Sequence, residues 1–499
     1  MTKSSSNLMK VMTIYIITIF PPVRSIWIGM VLDIRSARQI RKMRQRDLAS
    51  AVGISLHELM KLERGLVMPS KKLLQQISYC LEIDAAQLIV GQNKLCEHPL
   101  TGEGYVTGRP ESNIKIPRQR NPDARKKAVL DLFCGVGGFS FGFEMHEAFQ
   151  VVAGVDLLSD RLQTFSCNHV AANAYGQDIR TISTNVLDHE NPRPFVIVGG
   201  SPCQGFSSIR PFRNVERHDP RNNLAEEFCR IVHELQPEWI VFENVVGMLT
   251  HNKGQTLRAI IGAFEEIGYR TSYKVLNAAY YGLPQRRERL IIVGNRQGKP
   301  FKWNQPTHWC EHRSMAGKQE FVLKPPERLF SQELKPAITI NEAIHDLPPV
   351  KAGERAIAYQ ENIELTSYET FIRNQAHQLT MHEATDHSAR MLEIIRQAGA
   401  NIYALPPGTV TSGFSSCYSR LNPEEPSVTL TVNFVHPASN RCIHPTQDRA
   451  LTPREGARLQ GFFDTFEFIG TRSQIVKQIG NAVPPLLGRI IAQGILESD

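Results

Sequence analysis

Nine cysteines in 499 residues are too few and too scattered for a disulfide framework; the number is odd and no two stand as Cys-x-x-Cys. A Cys-rich zinc site is excluded with it, no other metal set is expected, and a reducing cytoplasm fits. No apolar run approaches the roughly 20 residues that a spanning helix needs. The run Val11–Phe20 is too short, and Pro21-Pro22-Val23-Arg24 follows it in place of a small-residue signal cleavage site. A Gly-x-x-x-x-Gly-Lys-Ser/Thr loop is missing, which argues against an ATPase, and no internal repeat is present. Neither charge dominates: Lys+Arg 57 against Asp+Glu 49 leaves +8, a basic bias suited to a polyanionic partner. With 41% hydrophobic and 21% charged residues, collagen, wholesale disorder and a polytopic membrane protein are excluded. The length suggests two to four domains.

Composition divides the chain into six stretches. Residues 1–32 form an N-terminal extension, with 1–29 expected to be translated upstream sequence and Met30 the natural start. Residues 33–92 carry short helical patterns rich in Arg and Lys, and 93–126 have the Pro, Gly and basic composition of a linker. From 127 to 298, strand-length apolar runs alternate with helical stretches: Ala128–Phe133, Val151–Val155, Phe195–Val198, Trp239–Phe242 and Leu290–Val293. This alternation predicts an α/β domain whose largely parallel sheet is covered on both faces. Residues 299–440 are irregular and rich in Pro, His and Arg. Helix signals return in 441–499, at Thr452–Leu459 and Ser473–Ile479.

The chemistry gathers at strand ends. Asp131-Leu-Phe133-Cys-Gly135-Val-Gly137-Gly138 follows the first run and opens a helix, a loop able to approach a ligand closely or simply to pack a helix. The second run ends at Asp156, where an acid can take ribose hydroxyls or cap a helix, and Asp178 follows in Gly176-Gln-Asp-Ile179. Glycine loop, acid and acid in that order suit an adenosine-containing cofactor. A third run leads into Pro202-Cys203-Gln204-Gly205-Phe206-Ser207. Most cysteines are inert core residues, but one on a turn at the ligand edge of a sheet is a candidate nucleophile. Glu243-Asn244-Val245 ends the fourth run, and Gln285-Arg286-Arg287-Glu288-Arg289 precedes the fifth.

These motifs, with Leu451-Thr-Pro-Arg-Glu-Gly-Ala-Arg-Leu-Gln-Gly-Phe462 and Gln478-Ile-Gly-Asn481-Ala-Val-Pro-Pro485, resemble the DNA (cytosine-5) methyltransferase family over about 127–298 and 420–495. The resemblance implies a Rossmann-like sheet binding S-adenosylmethionine, with an inserted target-recognition region at 299–440. It implies that the Cys203 thiolate adds to cytosine C6, making C5 nucleophilic. Glu243 would hold ring N3 and the exocyclic amine, and Arg287 and Arg289 would lie near the base and its O2. Phe133 would stack on the adenine, Asp156 bind the ribose, and Asp178 with Ile179 read the adenine. Gly135, Gly137, Pro202, Asn481 and Val483 would border the cofactor, and Gln204 and Ser207 would touch DNA. The target cytosine must then be flipped out of the duplex.

Within 33–92, Arg46–Gly53 predicts a short helix ending at glycine, and Ser55-Leu-His-Glu58 is a capping box opening a second, with Leu59 and Leu62 inward. The stretch resembles the Cro/repressor helix-turn-helix domain, which places Gln45, Ser55, Leu56, His57 and Lys61 at DNA. A helical protein-interaction module is the alternative. Ile34–Gln92 carries a net +5. The layout implies duplex DNA as substrate, a homodimer through the helix-turn-helix, repression of the protein's own promoter, and a cognate restriction endonuclease. Two other readings are methylation of transfer RNA and a repressor carrying a vestigial methyltransferase fold.

Overall fold

The computed structural model describes residues 31–32, 34, 38, 41, 43–63, 70–81, 89–90, 114–201, 224–311, 314–316, 322–323, 334–410 and 413–499. The chain divides into two compact units, 1–107 and 108–499.

In the first unit, β1 (Val31–Leu32) pairs antiparallel with β2 (Ile89–Val90), and α1 (Gln45–Ala51), α2 (Leu56–Glu63) and α3 (Lys71–Leu81) surround a small core. That core is Ile34, Leu48, Val52, Leu59, Leu62, Leu74, Ile77 and Leu81. Gly53 turns the chain between α1 and α2 with φ +71°, and the Glu58 amide donates to Ser55 Oγ at 3.1 Å. Leu59 and Leu62 point inward, as their spacing predicts.

The second unit is built on an eight-stranded sheet. Its strands are β3 (Ile114–Ile116), β4 (Lys127–Leu132), β5 (Phe149–Asp156), β6 (Asn173–Gly176), β7 (Val196–Gly199), β8 (Trp239–Asn244), β9 (Arg270–Asn277) and, after the short β10 (Gln285–Arg286), β11 (Glu288–Asn295). Their order is β3-β6-β5-β4-β7-β8-β11-β9. The five central strands β6, β5, β4, β7 and β8 are parallel, β3 and β11 run against them, and β9, antiparallel to β11, closes the other edge. The expected parallel sheet is thus its centre only. Ile114–Ile116, inside the linker composition, supplies one edge because three residues suffice to pair with β6. Arg270–Asn277 on the other edge opens with three polar residues and mixes polar with apolar after them, so it gives no continuous apolar run.

Successive residues of the central strands enter different cores. Val129, Val198, Val241 and Ile291 face one side, packed with α4 (Gly138–Glu144) and α14 (Pro485–Leu496). Leu130, Ile197, Ile240 and Ile292 face the other, against α7 (Leu224–Leu235) and α8 (Gln255–Glu266). Burial on both faces is why these strands read as unbroken apolar runs. On the first side α4 and α14 meet backbone to backbone: a Cβ on Gly142 would overlap the Pro485 carbonyl, and one on Gly488 the Phe139 carbonyl. Between these elements lie α5 (Ser159–Asn168) and α6 (Thr184–Glu190).

Residues 338–482 build a third core, drawing on α9 (Ile340–Ile344), α10 (Ser367–Arg373), α12 (Pro453–Leu459) and α13 (Arg472–Asn481). The irregular composition of 299–440 therefore hides short helices, including α11 (Ala389–Gln397), each with a Ser or Thr cap. The Thr452 capping box forms as its spacing predicts, with Pro453 first in the helix. Around α12 lie three fully buried arginines. Arg449 makes two bonds to Glu455, at 2.7 and 2.8 Å, and Arg454 reaches Asp464 at 3.2 Å. Arg458 binds both Asp464, at 2.7 Å, and Asp346. Buried charges persist only when paired in this way.

Candidate active site

Five parallel strands end on one edge of the sheet, and the strand order reverses between β4 and β7, the switch point at which open α/β sheets carry their ligand crevice. The β4–α4 loop is held open by backbone conformation: Phe133, Gly135 and Gly137 have φ of +60°, +54° and +82°. Phe133 is the non-glycine among them, and a strained aromatic at a ligand edge points to function. Asp156, at the end of β5, braces this loop. One carboxylate oxygen accepts the Gly135 amide at 2.9 Å and the other the Leu158 amide at 2.9 Å. Asp178 is turned toward Arg180, whose guanidinium holds its carboxyl below the usual range. Its carbonyl caps the following turn, and Ile179 is buried. Beneath the loop lies Asp131, buried, with one carboxyl oxygen unpartnered; burial pushes its pKa up to about 7.

Across the crevice stands Glu243, last but one in β8. Because β11 runs antiparallel, its first residues lie at the same edge as the last residues of β8, with Ile291 opposite Glu243. Arg289, two residues earlier on that face, bonds Glu243 at 2.7 Å. A Cβ on Gly200 would stand 2.5 Å from Glu243 Oε2, so the β7 end must be glycine for the carboxyl to sit there. Burial raises the Glu243 pKa, and Arg289 and Arg287 oppose the shift. Arg287 itself is buried and turned away, donating to the carbonyls of Leu430, Gly480 and Ala482 at 3.1, 3.2 and 3.1 Å. It fastens the C-terminal segment rather than pairing with Glu243. Gln285 does likewise, donating to the Leu459 carbonyl at 2.9 Å and accepting from the Leu430 amide at 3.0 Å. At that segment's end Asn481 is exposed, and the Val483 carbonyl packs against Gly138.

Pro202, Cys203, Gln204 and Ser207 lie outside the described residues, which stop at Ser201, buried beside Asn244. In the first unit Gln45 donates to Glu63 at 2.6 Å, and Arg38 bonds the same carboxylate at 2.5 Å. Gln45 is therefore engaged within its own unit. His57 is exposed and Leu56 half-buried; the Lys61 side chain is not among those described. Sequence reasoning did not find Glu144 and His169, which sit under the glycine loop. A lone histidine after a helix belongs to no motif, so only its place in the fold marks it. Every described cysteine is free, no described helix is long and apolar enough to cross a membrane, and no metal-binding cluster occurs among the described residues.

The family described as C-5 cytosine-specific DNA methylase matches residues 128–497. The Type II methyltransferase M1.HphI of Haemophilus parahaemolyticus is 34% identical over 373 residues, covering 74% of this chain and 86% of the relative. M.DdeI of Desulfomicrobium norvegicum is 31% identical over 403 residues, covering 74% and 88%. Among solved structures, a prophage-encoded candidate DNA modification methyltransferase from E. coli superposes with a TM-score of 0.55 at 24% identity, covering 75% of this chain and 99% of that one. That likeness bears on the fold.

Proposed function

Since the chain belongs to the C-5 cytosine-specific DNA methylase family, we propose that it methylates C5 of a flipped-out cytosine at a specific duplex site, as the modification enzyme of a restriction system. The observation that carries this reading is the Arg289–Glu243 pair beside the strand end from which Pro202-Cys203 departs. Cys203 adds to C6 and later leaves. Glu243, its pKa raised by burial, holds a proton at ring N3 while Arg289 steadies O2. Arg287 acts as a positioning residue, through the carbonyls it binds. The recognition region is 299–440, and Gln204 and Ser207 touch DNA. Purified protein given labelled S-adenosylmethionine will label duplex DNA as 5-methylcytosine and leave transfer RNA unlabelled. Labelled transfer RNA would overturn the reading.

The donor set suits S-adenosylmethionine, a cation with an adenosine half. Asp131 offers an unpartnered buried oxygen, Asp156 and Asp178 stand at successive strand ends, and Phe133 presents a ring. When bound, the cofactor supplies an electrophilic methyl group. Gly135, Gly137, Ile179, Pro202, Asn481 and Val483 border it. Replacing Asp156 by alanine will weaken donor binding by roughly 1.5–3 kcal/mol, the scale of a charge-assisted hydrogen bond. DNA affinity will stay within twofold, roughly the spread of unrelated sites. Isothermal titration with each ligand checks it, and an unchanged donor constant assigns Asp156 to loop bracing alone.

The first unit serves as a helix-turn-helix that represses the gene's own promoter as a dimer, using Ser55, Leu56, His57 and Lys61, while Gln45 is held by Glu63. Its support is the net positive charge and the exposed start of α2. Deleting 1–92 will leave methylation specificity intact and derepress a reporter under the upstream region. An isolated 33–92 segment without sequence preference at physiological salt would favour an interaction module instead.

A further inference from the structure

His169, just after α5, is fully buried, its ring packed at a tilt on Phe165 with centroids 4.4 Å apart and edge-on to Phe141 at 6.0 Å. Both ring nitrogens are engaged. Nδ1 lies 2.6 Å from Glu144 Oε2, and Nε2 lies 3.2 Å from the carbonyl oxygen of Gly137. The Gly137 carbonyl can only accept, so that contact needs the N–H of Nε2, while one proton lies between Nδ1 and Glu144. Glu144 is fixed in turn, because its other oxygen accepts the Val151 amide at 3.0 Å. A continuous chain of bonds therefore runs from β5 through Glu144 and the imidazole to the glycine loop. The Gly137 carbonyl also takes the Phe141 amide at 2.8 Å and the Ser140 hydroxyl at 3.2 Å, so it is the point where the loop becomes helix. Gly137 must be glycine twice over: its φ is +82°, and a Cβ there would overlap the His169 ring.

We infer that His169, clamped by Glu144, is a positioning residue that sets the donor-binding loop through the Gly137 carbonyl. The inference rests on the reading of this loop as the S-adenosylmethionine site. His169 is fully buried and presents no surface to a base or to DNA. It fixes the orientation of the Gly137 peptide, and with it the path of the backbone from Phe133 to Gly138. Loss of the bond loosens the donor cradle before the donor arrives, so binding must then order it. Donor affinity falls while the chemical step, once the donor is seated, keeps its rate.

Packing and hydrogen bonding are separated by His169→Phe, which keeps a ring against Phe165 and Phe141 but has no N–H. In the full-length protein, His169→Phe will raise both the dissociation constant for S-adenosylhomocysteine and the KM for the donor by roughly ten- to a hundredfold, the scale of one charge-assisted hydrogen bond. The kcat and the DNA dissociation constant will stay within twofold, roughly the spread of unrelated sites. His169→Gln, which restores an amide donor, will recover most of the loss. Glu144→Gln will show a smaller rise in the same constant. Donor constants at the wild-type value in His169→Phe overturn the inference. So does an equal fall of kcat, donor affinity and DNA affinity that His169→Gln does not repair. If His169→Phe does not fold, Glu144→Gln decides: wild-type donor affinity with reduced thermal stability makes the clamp purely structural. Wild-type protein that binds no S-adenosylhomocysteine sinks the underlying assignment of the loop and not the clamp.

Discussion

Cys203→Ala will lose methyl transfer by a factor on the order of 10⁴ or more, the scale seen when a covalent nucleophile is removed. DNA binding will survive, since only the covalent step needs sulfur. Addition of the thiolate to C6 is what gives C5 its nucleophilic character, and alanine offers nothing in its place. Duplex DNA carrying 5-fluorocytosine at the target will trap the wild-type protein covalently, because fluorine cannot leave as the C5 proton does. The alanine variant will form no such adduct. Denaturing gels of enzyme and labelled duplex read both results together, and turnover retained in the variant would remove Cys203 from the mechanism.

The second large effect is on stability. Arg458 is fully buried and bonded to Asp464 and Asp346, which are buried with it. Arg458→Met removes the cation shared by the two carboxylates, leaving Asp464 to Arg454 and Asp346 to Arg373 alone. Breaking such a group by removing one partner costs about 3–5 kcal/mol, a large share of the roughly 5–15 kcal/mol that holds a domain together. Urea titration will show the unfolding free energy falling by that amount, and near-wild-type stability would mean that Arg454 and Arg373 suffice for the two carboxylates. The neighbouring His444 adds a pH signature. Burial depresses its pKa to about 4, and its Nδ1 accepts the Thr446 and Gln447 amides at 3.2 and 3.1 Å. The unfolded chain binds this proton near pH 6.5, so its contribution is complete above that pH and is lost as pH falls toward 4. Melting temperature will drop across that window, less steeply in His444→Gln.

Legibility followed burial. The central strands could be read directly because both faces are covered, and α12 because its capping box is a fixed spacing. The edge strands β3 and β9 could not, since half-exposed strands carry mixed residues. Asp156 and Glu243 stand out in the sequence because strand ends at a crevice are predictable places, whereas Asp131 reads only as the first residue of the glycine loop. Arg287 and Arg289 look alike in a run of arginines, yet one faces Glu243 and the other the carbonyls of a distant segment. That split depends on which residue of β10–β11 points to which side, and charge patterning does not encode it. Asp156 was weighed as ribose ligand or helix cap. It does bind backbone amides, but those of the glycine loop and its own turn.

The glycine-to-glycine seam between α4 and α14 has a consequence for synthesis. α4 follows the donor loop and is made early, whereas α14 lies near the far end of the sequence. At about 5–20 residues per second, the ribosome delivers the second helix on the order of tens of seconds after the first. During that interval the α14-facing side of α4, with Phe139 and Phe143 beside it, has no native cover. Nucleation can proceed among β4, β5 and β6, whose contacts are local. The donor cradle is then among the last parts to become rigid, and the nascent chain passes through a long-lived state with apolar surface open to chaperones or to wrong partners.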